Sequence, residues 1–98
     1  SYMIKNKQRT SVLGASKNQR DLDELLVILM EECGELIQAA SKAIRCAEYY
    51  DNDRLTDEVG DVLTMIDLLH EYDLVSWNDL DERKKVKLER LRKWSNLL

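Results

Sequence analysis

Residues 22–44 read LDELLVILMEECGELIQAASKAI, the longest segment of the chain with a helical period. Apolar residues recur in it at steps of three and four, the spacing of one face of an α-helix. The pattern predicts a first helix from about Gln19 to about Tyr50, roughly 45 Å long. Its apolar face comprises Leu22, Leu25, Leu26, Leu29, Cys33, Leu36, Ile37, Ala40 and Ile44.

Two shorter periodic segments follow the first one. The polar triplet at residues 51–53 reads as a connection, and the spacing of apolar residues after it predicts a second helix from about Asp53 to Tyr72. Ser76 precedes Asp79 by three positions, which approximates a capping box and predicts the start of a third helix that runs through Trp94.

The composition points to one small helical domain. The chain has 98 residues, 44 % of them hydrophobic, three glycines and no proline, so helix-breaking residues are scarce. We therefore expect an all-α fold, an antiparallel helical bundle with one long helix. Residues 1–17 show no sustained period and are expected to be an N-terminal arm, with a single helical domain over residues 18–98.

The length of the first helix predicts self-association. A compact domain of this size has a radius of gyration of about 13 Å. A helix of roughly 45 Å is too long for the rest of such a domain to cover its whole apolar face. We expect oligomerisation to complete the bundle, as a homodimer or a homotetramer.

The charge disfavours several classes of partner. A formal net charge of -4 gives no electrostatic footprint for a nucleic acid polymer. No apolar run approaches the roughly 20 residues that cross a bilayer. Cys33 and Cys46 would lie on one helix, roughly 20 Å apart, too far for a disulfide. We therefore expect a soluble protein in the reducing cytoplasm, without a nucleic acid or membrane partner.

Two pairs of acidic residues have the same placement on the first two helices. At about 100° per residue, with Glu32 at zero, Leu25, Leu29, Leu36 and Ala40 lie near +20° to +80° and Glu35 lies near -60°. With Glu58 at zero, the second apolar stripe, Leu55, Val62, Ile66 and Leu69, occupies the same angles, and Asp61 lies near -60°. If the stripes pack together, the four carboxylates meet in one cleft.

Such a cleft predicts a metal site. Partly buried carboxylates either become protonated or acquire compensating charge, and Arg54 is the one basic residue placed to serve Glu58 locally. A set of oxygen ligands without His or Cys suits Mg²⁺, with Mn²⁺ as a substitute. A string such as Glu31-Glu32-x-x-Glu35 is commonly only a solvated acidic face, but the second pair at the same offset argues against that reading.

The segments 31–36, EECGEL, and 58–63, EVGDVL, resemble the EExxE and ExxD signature of MazG-like all-α nucleotide pyrophosphohydrolases. The resemblance extends over roughly residues 19–95. It implies hydrolysis of a nucleoside triphosphate to a nucleoside monophosphate and pyrophosphate. It also implies that Glu32, Glu35, Glu58 and Asp61 bind magnesium, and that Glu31 and Glu35 are catalytic, with Glu31 binding a second ion or orienting the attacking water.

The basic residues near the C-terminus are candidates for binding the triphosphate. Lys84, Lys87 and Arg90 recur every three residues on one helical side, where they could contact phosphate oxygens, although a solvated basic face is equally typical. The chief alternative function is a non-catalytic helical oligomerisation module that binds a divalent cation. A di-metal oxidase is disfavoured because His70 is the single histidine.

Overall fold

The computed structural model describes residues 18–46 and 52–98. It contains three helices in these ranges, α1 (Gln19–Cys46), α2 (Asn52–Glu71) and α3 (Trp77–Trp94), and no strand. The predicted all-α class is therefore confirmed, and the helix boundaries agree with the predicted ones wherever they are described. The predicted arm at residues 1–17 and the predicted end of the first helix near Tyr50 lie outside the described ranges.

Local hydrogen bonds account for the ends of the helices. The side chain of Asn18 accepts a hydrogen bond from the amide of Asp21 (2.9 Å) at the start of α1. Ser76 is the N-cap of α3, as its spacing from Asp79 predicted, and its hydroxyl accepts from the Asp79 amide at 3.2 Å. Each bond satisfies one of the amide groups that the first turn of a helix leaves without a partner.

Helices α1 and α2 pack against each other as an antiparallel pair. Leu25, early in α1, forms a buried core with Met65 and Tyr72. Met65 lies in the C-terminal half of α2, and Tyr72 directly follows that helix. Partly buried leucines and an isoleucine surround these three residues: Leu22, Ile28, Leu29, Leu68 and Leu69. Ala39 is buried further along α1. The acidic pairs therefore lie midway along α1 and α2, between the core cluster and Ala39.

A tight turn separates α2 from α3. Asp73 has a positive φ of 59°, and the amide of Leu74 donates to the carbonyl of Leu69 while that of Asp73 donates to His70, both at 2.9 Å. This is the hydrogen-bond pattern of a Schellman C-cap, and Asp tolerates the left-handed conformation better than most residues.

Helix α3 packs along neither α1 nor α2, and none of its residues is buried. A ring stack joins its start to the end of α2, where the rings of His70 and Trp77 lie 4.7 Å apart, centroid to centroid. No helix in the described ranges combines the length and apolarity that a bilayer span requires.

Candidate metal centre

Four carboxylates from two helices converge at one point of the helix pair. One oxygen each from Glu32, Glu35, Glu58 and Asp61 can be chosen so that all four lie within 4.8 Å of one another. Glu32 and Glu35 are one helical turn apart on α1, and Glu58 and Asp61 are one turn apart on α2. The structure thus brings together the four acids that the sequence placed at equal angles on the two helices.

Two of these carboxylates each have one oxygen that is shielded from solvent. The Oε2 atoms of Glu32 and Glu58 are buried, and neither has a hydrogen-bond partner among the described residues. Burying a polar atom without a partner costs free energy, and the cost is greater for an ion. A positively charged group at this point would remove that cost.

The electrostatics of Glu32 reflect this crowding. Burial raises the pKa of Glu32 above its ordinary value of 4.5, and the negative charge of Glu35 and a hydrogen bond with its carboxyl raise it further. The charges of Asp61 and Glu31 act in the same direction. All these causes favour the protonated form, so in the absence of a cation this part of the chain holds a proton more readily than an isolated glutamate.

Glu58 has the same environment on the facing helix. Burial raises its pKa above 4.5, as do the charges of Glu35 and Asp61. The Arg54 guanidinium lowers the pKa of Glu58, but the net direction remains upward. Arg54 thus neutralises the cluster only in part, in keeping with its position one turn before Glu58.

The cluster fits a hard divalent cation. All four donors are carboxylate oxygens, the ligand type that Mg²⁺, Mn²⁺ and Ca²⁺ prefer. Ligand atoms on opposite sides of an ion lie about 4.2 Å apart around Mg²⁺ and about 5 Å apart around Ca²⁺. The four oxygens lie within 4.8 Å of one another, which is compatible with these distances. A bound ion would also compensate the buried Oε2 atoms of Glu32 and Glu58, which have no hydrogen-bond partner among the described residues.

Glu31 lies beside the cluster and does not belong to it. Its side chain is partly buried, and its charge contributes to the raised pKa of Glu32. Its predicted role, orienting water or holding a second ion, stays a prediction.

The three predicted phosphate-binding residues are all exposed on α3. Lys84 pairs with Asp81 of the same helix, with 3.9 Å between Nζ and Oδ1. Because α3 packs along neither α1 nor α2, the structure does not join Lys84, Lys87 or Arg90 to the acidic cluster.

Two residues of the buried core were not predicted from the apolar periodicity. Met65 and Tyr72 are in the buried core, although neither belongs to the apolar stripe assigned to α2. On the helical wheel they lie about 20° and 40° from Glu58 on the side of Asp61. The face of α2 that packs against α1 is therefore centred close to Glu58. The positions of the acidic residues on the helix could have indicated this face.

Comparison with known families agrees with this arrangement. A family model described as the MazG nucleotide pyrophosphohydrolase domain matches residues 20–90, which include all of α2, nearly all of α1 and most of α3. No curated protein and no solved structure is significantly similar to the chain. The match covers well over half of the sequence and contains the four clustered acids. The chain therefore belongs to the MazG nucleotide pyrophosphohydrolase domain family.

Proposed function

We propose that this protein hydrolyses a nucleoside triphosphate to a nucleoside monophosphate and pyrophosphate in a reaction that depends on Mg²⁺. The observation that supports this most directly is the cluster of four carboxylates, two of which have a buried oxygen without a hydrogen-bond partner in the described part of the chain. Membership of the family supplies the class of reaction. The cluster supplies a physical reason for the metal.

Glu32, Glu35, Glu58 and Asp61 would hold the ion, with Mn²⁺ as a possible substitute for Mg²⁺. When bound, a divalent cation neutralises the negative charge that phosphoryl transfer spreads over the phosphate oxygens. The reaction adds water across the bond between the α and β phosphates. It needs no covalent nucleophile from the chain, which accords with a site built from acids alone.

The chain's own residues would orient the reactants. Glu31 and Glu35 flank Glu32 on α1, and we assign them the catalytic role of orienting the attacking water and accepting its proton. A carboxylate that lies within hydrogen-bond reach of a bound water can accept its proton as a general base.

Lys84, Lys87 and Arg90 would bind the phosphate oxygens that the metal leaves uncovered. Their positive charges lie on one side of α3, and charge-assisted hydrogen bonds to phosphate are stronger than those between neutral groups. For these residues to reach the substrate, α3 must approach an acidic cluster, either by bending at the turn around Asp73 or from a second copy of the chain.

The proposal is tested by incubating the protein with canonical and modified nucleoside triphosphates and Mg²⁺, and measuring pyrophosphate and monophosphate. We expect equal amounts of the two products from at least one nucleotide, and no release of orthophosphate. Asp67→Asn is a matched control for Asp61→Asn, because Asp67 is exposed on the same helix and lies outside the cluster.

The alternative function is a helical module that binds a divalent cation without catalysis. It predicts metal binding at the same four carboxylates and no turnover with any nucleotide of the panel. Calorimetric titration with Mg²⁺, run beside the product assay, separates the two functions. A cytoplasmic location and the division into an arm and a single domain stay predictions.

A further inference from the structure

The segment that connects α2 to α3 carries an aromatic contact that the acidic cluster does not use. The rings of His70, in the last turn of α2, and Trp77, the first residue of α3, are stacked. Their centroids are 4.7 Å apart and their planes are inclined by 24°. Because α3 packs along neither α1 nor α2, this contact restrains the angle at which α3 leaves the helix pair. We call residues 70–77 the joint.

The hydrogen bonds of the joint are local to the ends of the two helices. The amides of Asp73 and Leu74 donate to carbonyls of the last turn of α2, and Ser76 caps the first turn of α3. These bonds leave the backbone torsions of residues 74–76 to determine the direction of α3. The stack connects residues on either side of this segment and therefore restrains its torsions.

His70 can change its charge near neutral pH. Histidine gains a proton between about pH 5 and pH 8, and the chain contains no other histidine. Every charged residue between positions 55 and 82 other than His70 is acidic. The charged residues nearest to the stack by helical spacing are Asp23 on α1, Asp67 and Glu71 on α2, Asp73 in the turn and Asp81 on α3.

A proton on His70 favours the stacked form for three reasons. A cation at the face of an indole is attracted to its π electrons, which should favour stacking with Trp77 by roughly two- to fivefold. The C-terminal end of α2 carries partial negative charge from the helix dipole. The acidic residues on all the neighbouring elements attract a positive charge at this point.

We propose that His70 and Trp77 make the joint pH-sensitive, so that α3 is held at its angle more firmly as the pH falls from 8 to 6. Resting on the proposed function, both are positioning residues for the cations of α3, namely Lys84, Lys87 and Arg90. A helix held at one angle presents these side chains to the substrate at a lower entropic cost. Neither ring belongs to the acidic cluster.

Fluorescence of Trp77 tests the joint without nucleotide and in EDTA. The chain has two tryptophans, so Trp94→Phe leaves Trp77 as the single indole. A protonated imidazole in contact with an indole quenches its emission. We expect the emission to fall between pH 8 and pH 6 in this background, and to stay level when His70→Gln is added. Equal pH dependence with and without His70 would overturn the joint.

Hydrogen exchange tests whether the proton also makes the joint firmer. After correction for the intrinsic effect of pH, amides of residues 74–80 should exchange roughly two- to fivefold more slowly at pH 6 in wild type than in His70→Gln. His70→Arg keeps a positive charge that can stack on Trp77, and it should exchange slowly at both pH 6 and pH 8. Equal exchange in wild type and His70→Gln at pH 6 would contradict the proposal.

Kinetics with a hydrolysed nucleotide test the positioning role. We expect Trp77→Leu to raise KM roughly two- to tenfold with kcat unchanged, because α3 loses the stack that restrains it. Trp94→Leu is the matched control, since Trp94 is an 85 % exposed indole at the other end of α3. Its KM should equal that of wild type. An unchanged KM in Trp77→Leu, or an equal rise in Trp94→Leu, would refute the positioning role.

The His70 variants keep this role testable if Trp77→Leu does not fold. His70→Gln should raise KM more at pH 6 than at pH 8, and His70→Arg should have the KM of wild type at pH 6. A KM for His70→Gln equal to that of wild type at pH 6 would also refute the role. If no nucleotide is hydrolysed, the proposed function fails by itself, and the fluorescence and exchange measurements still decide whether the joint responds to pH.

Discussion

Glu32 on α1 and Glu58 on α2 approach each other across the helix interface, with carboxylate oxygens within 4.8 Å, and the Oε2 atom of each is buried without a hydrogen-bond partner among the described residues. Two like charges at this distance in a partly buried site destabilise the fold in the absence of a cation. The same arrangement makes the site receptive to a divalent ion. Stability and metal binding are therefore linked through these two residues.

Removing one of the clustered charges should separate activity from stability. Mutating a residue that hydrogen-bonds to a metal ligand typically lowers activity by roughly 10–100-fold. Glu35→Gln and Asp61→Asn alter the proposed ligands themselves, so we expect each to lower turnover by more than this. Both variants should fold, and without metal each should melt a few degrees above wild type, about 1 kcal/mol in stability, because a repelling charge is gone. Product assays and circular dichroism in EDTA check this, with Asp67→Asn as the control. Full activity in both variants would remove the proposed ligands.

Metal-free protein should become more stable as the pH falls from neutral toward 4.5. The pKa of Glu32 and that of Glu58 are raised above 4.5 in the folded chain, so folding favours their protonated forms. This stabilisation is fully present below the pKa of the glutamates in the unfolded chain. It is lost as the pH rises through their pKa in the folded chain. Melting temperatures at pH 5 and pH 7 in metal-free buffer measure it. The double variant Glu32→Gln with Glu58→Gln should show a smaller rise at pH 5, and an equal rise would disprove the assignment.

Mg²⁺ should stabilise the wild-type fold at constant ionic strength. At a concentration 100 times the dissociation constant, a ligand that binds only the folded state adds about 2.7 kcal/mol. For a domain of this size that corresponds to a rise of roughly 10–20 °C in melting temperature. Thermal scans with MgCl₂ and with NaCl of matched ionic strength test this. If Asp61→Asn gained as much from Mg²⁺ as wild type, the ion would be binding elsewhere.

Replacing the cations on one side of α3 should weaken substrate binding. We expect Lys84→Ala, Lys87→Ala and Arg90→Ala each to raise KM by about tenfold or more, since a charge-assisted hydrogen bond to phosphate contributes roughly 1.5 kcal/mol or more. Mg²⁺ affinity measured without nucleotide should not change. Lys85→Ala is the control, because Lys85 lies on another side of α3 and pairs with Glu82 at 3.1 Å. An unchanged KM in all three variants would indicate a solvated basic face.

The helices and the acidic pairs could be predicted because both follow from local periodicity. A repeat of 3.6 residues fixes the angle between Glu32 and Glu35, or between Glu58 and Asp61, whatever the helix packs against. The cap at Ser76 is local in the same sense. These features therefore appear in the structure where the sequence indicated them.

What covers each apolar face could not be predicted in the same way. The stripe on α1 includes Ile37 and Ile44, which are 68 % and 67 % exposed, because one facing helix covers only part of so wide a stripe. Periodicity identifies the apolar side of a helix and not the partner. The position of α3 depends on the turn at Asp73 and on the stack of Trp77 against His70, contacts that have no periodic signature.

The crowding of acids between α1 and α2 has a consequence for directed evolution of this protein. A library sorted by resistance to heat or proteases in chelating buffer would enrich sequences that have replaced Glu35 or Asp61 with neutral side chains. The most robust clones from such a selection would be inert toward nucleotides. Sorting in the presence of Mg²⁺ would reverse that bias and retain the carboxylates.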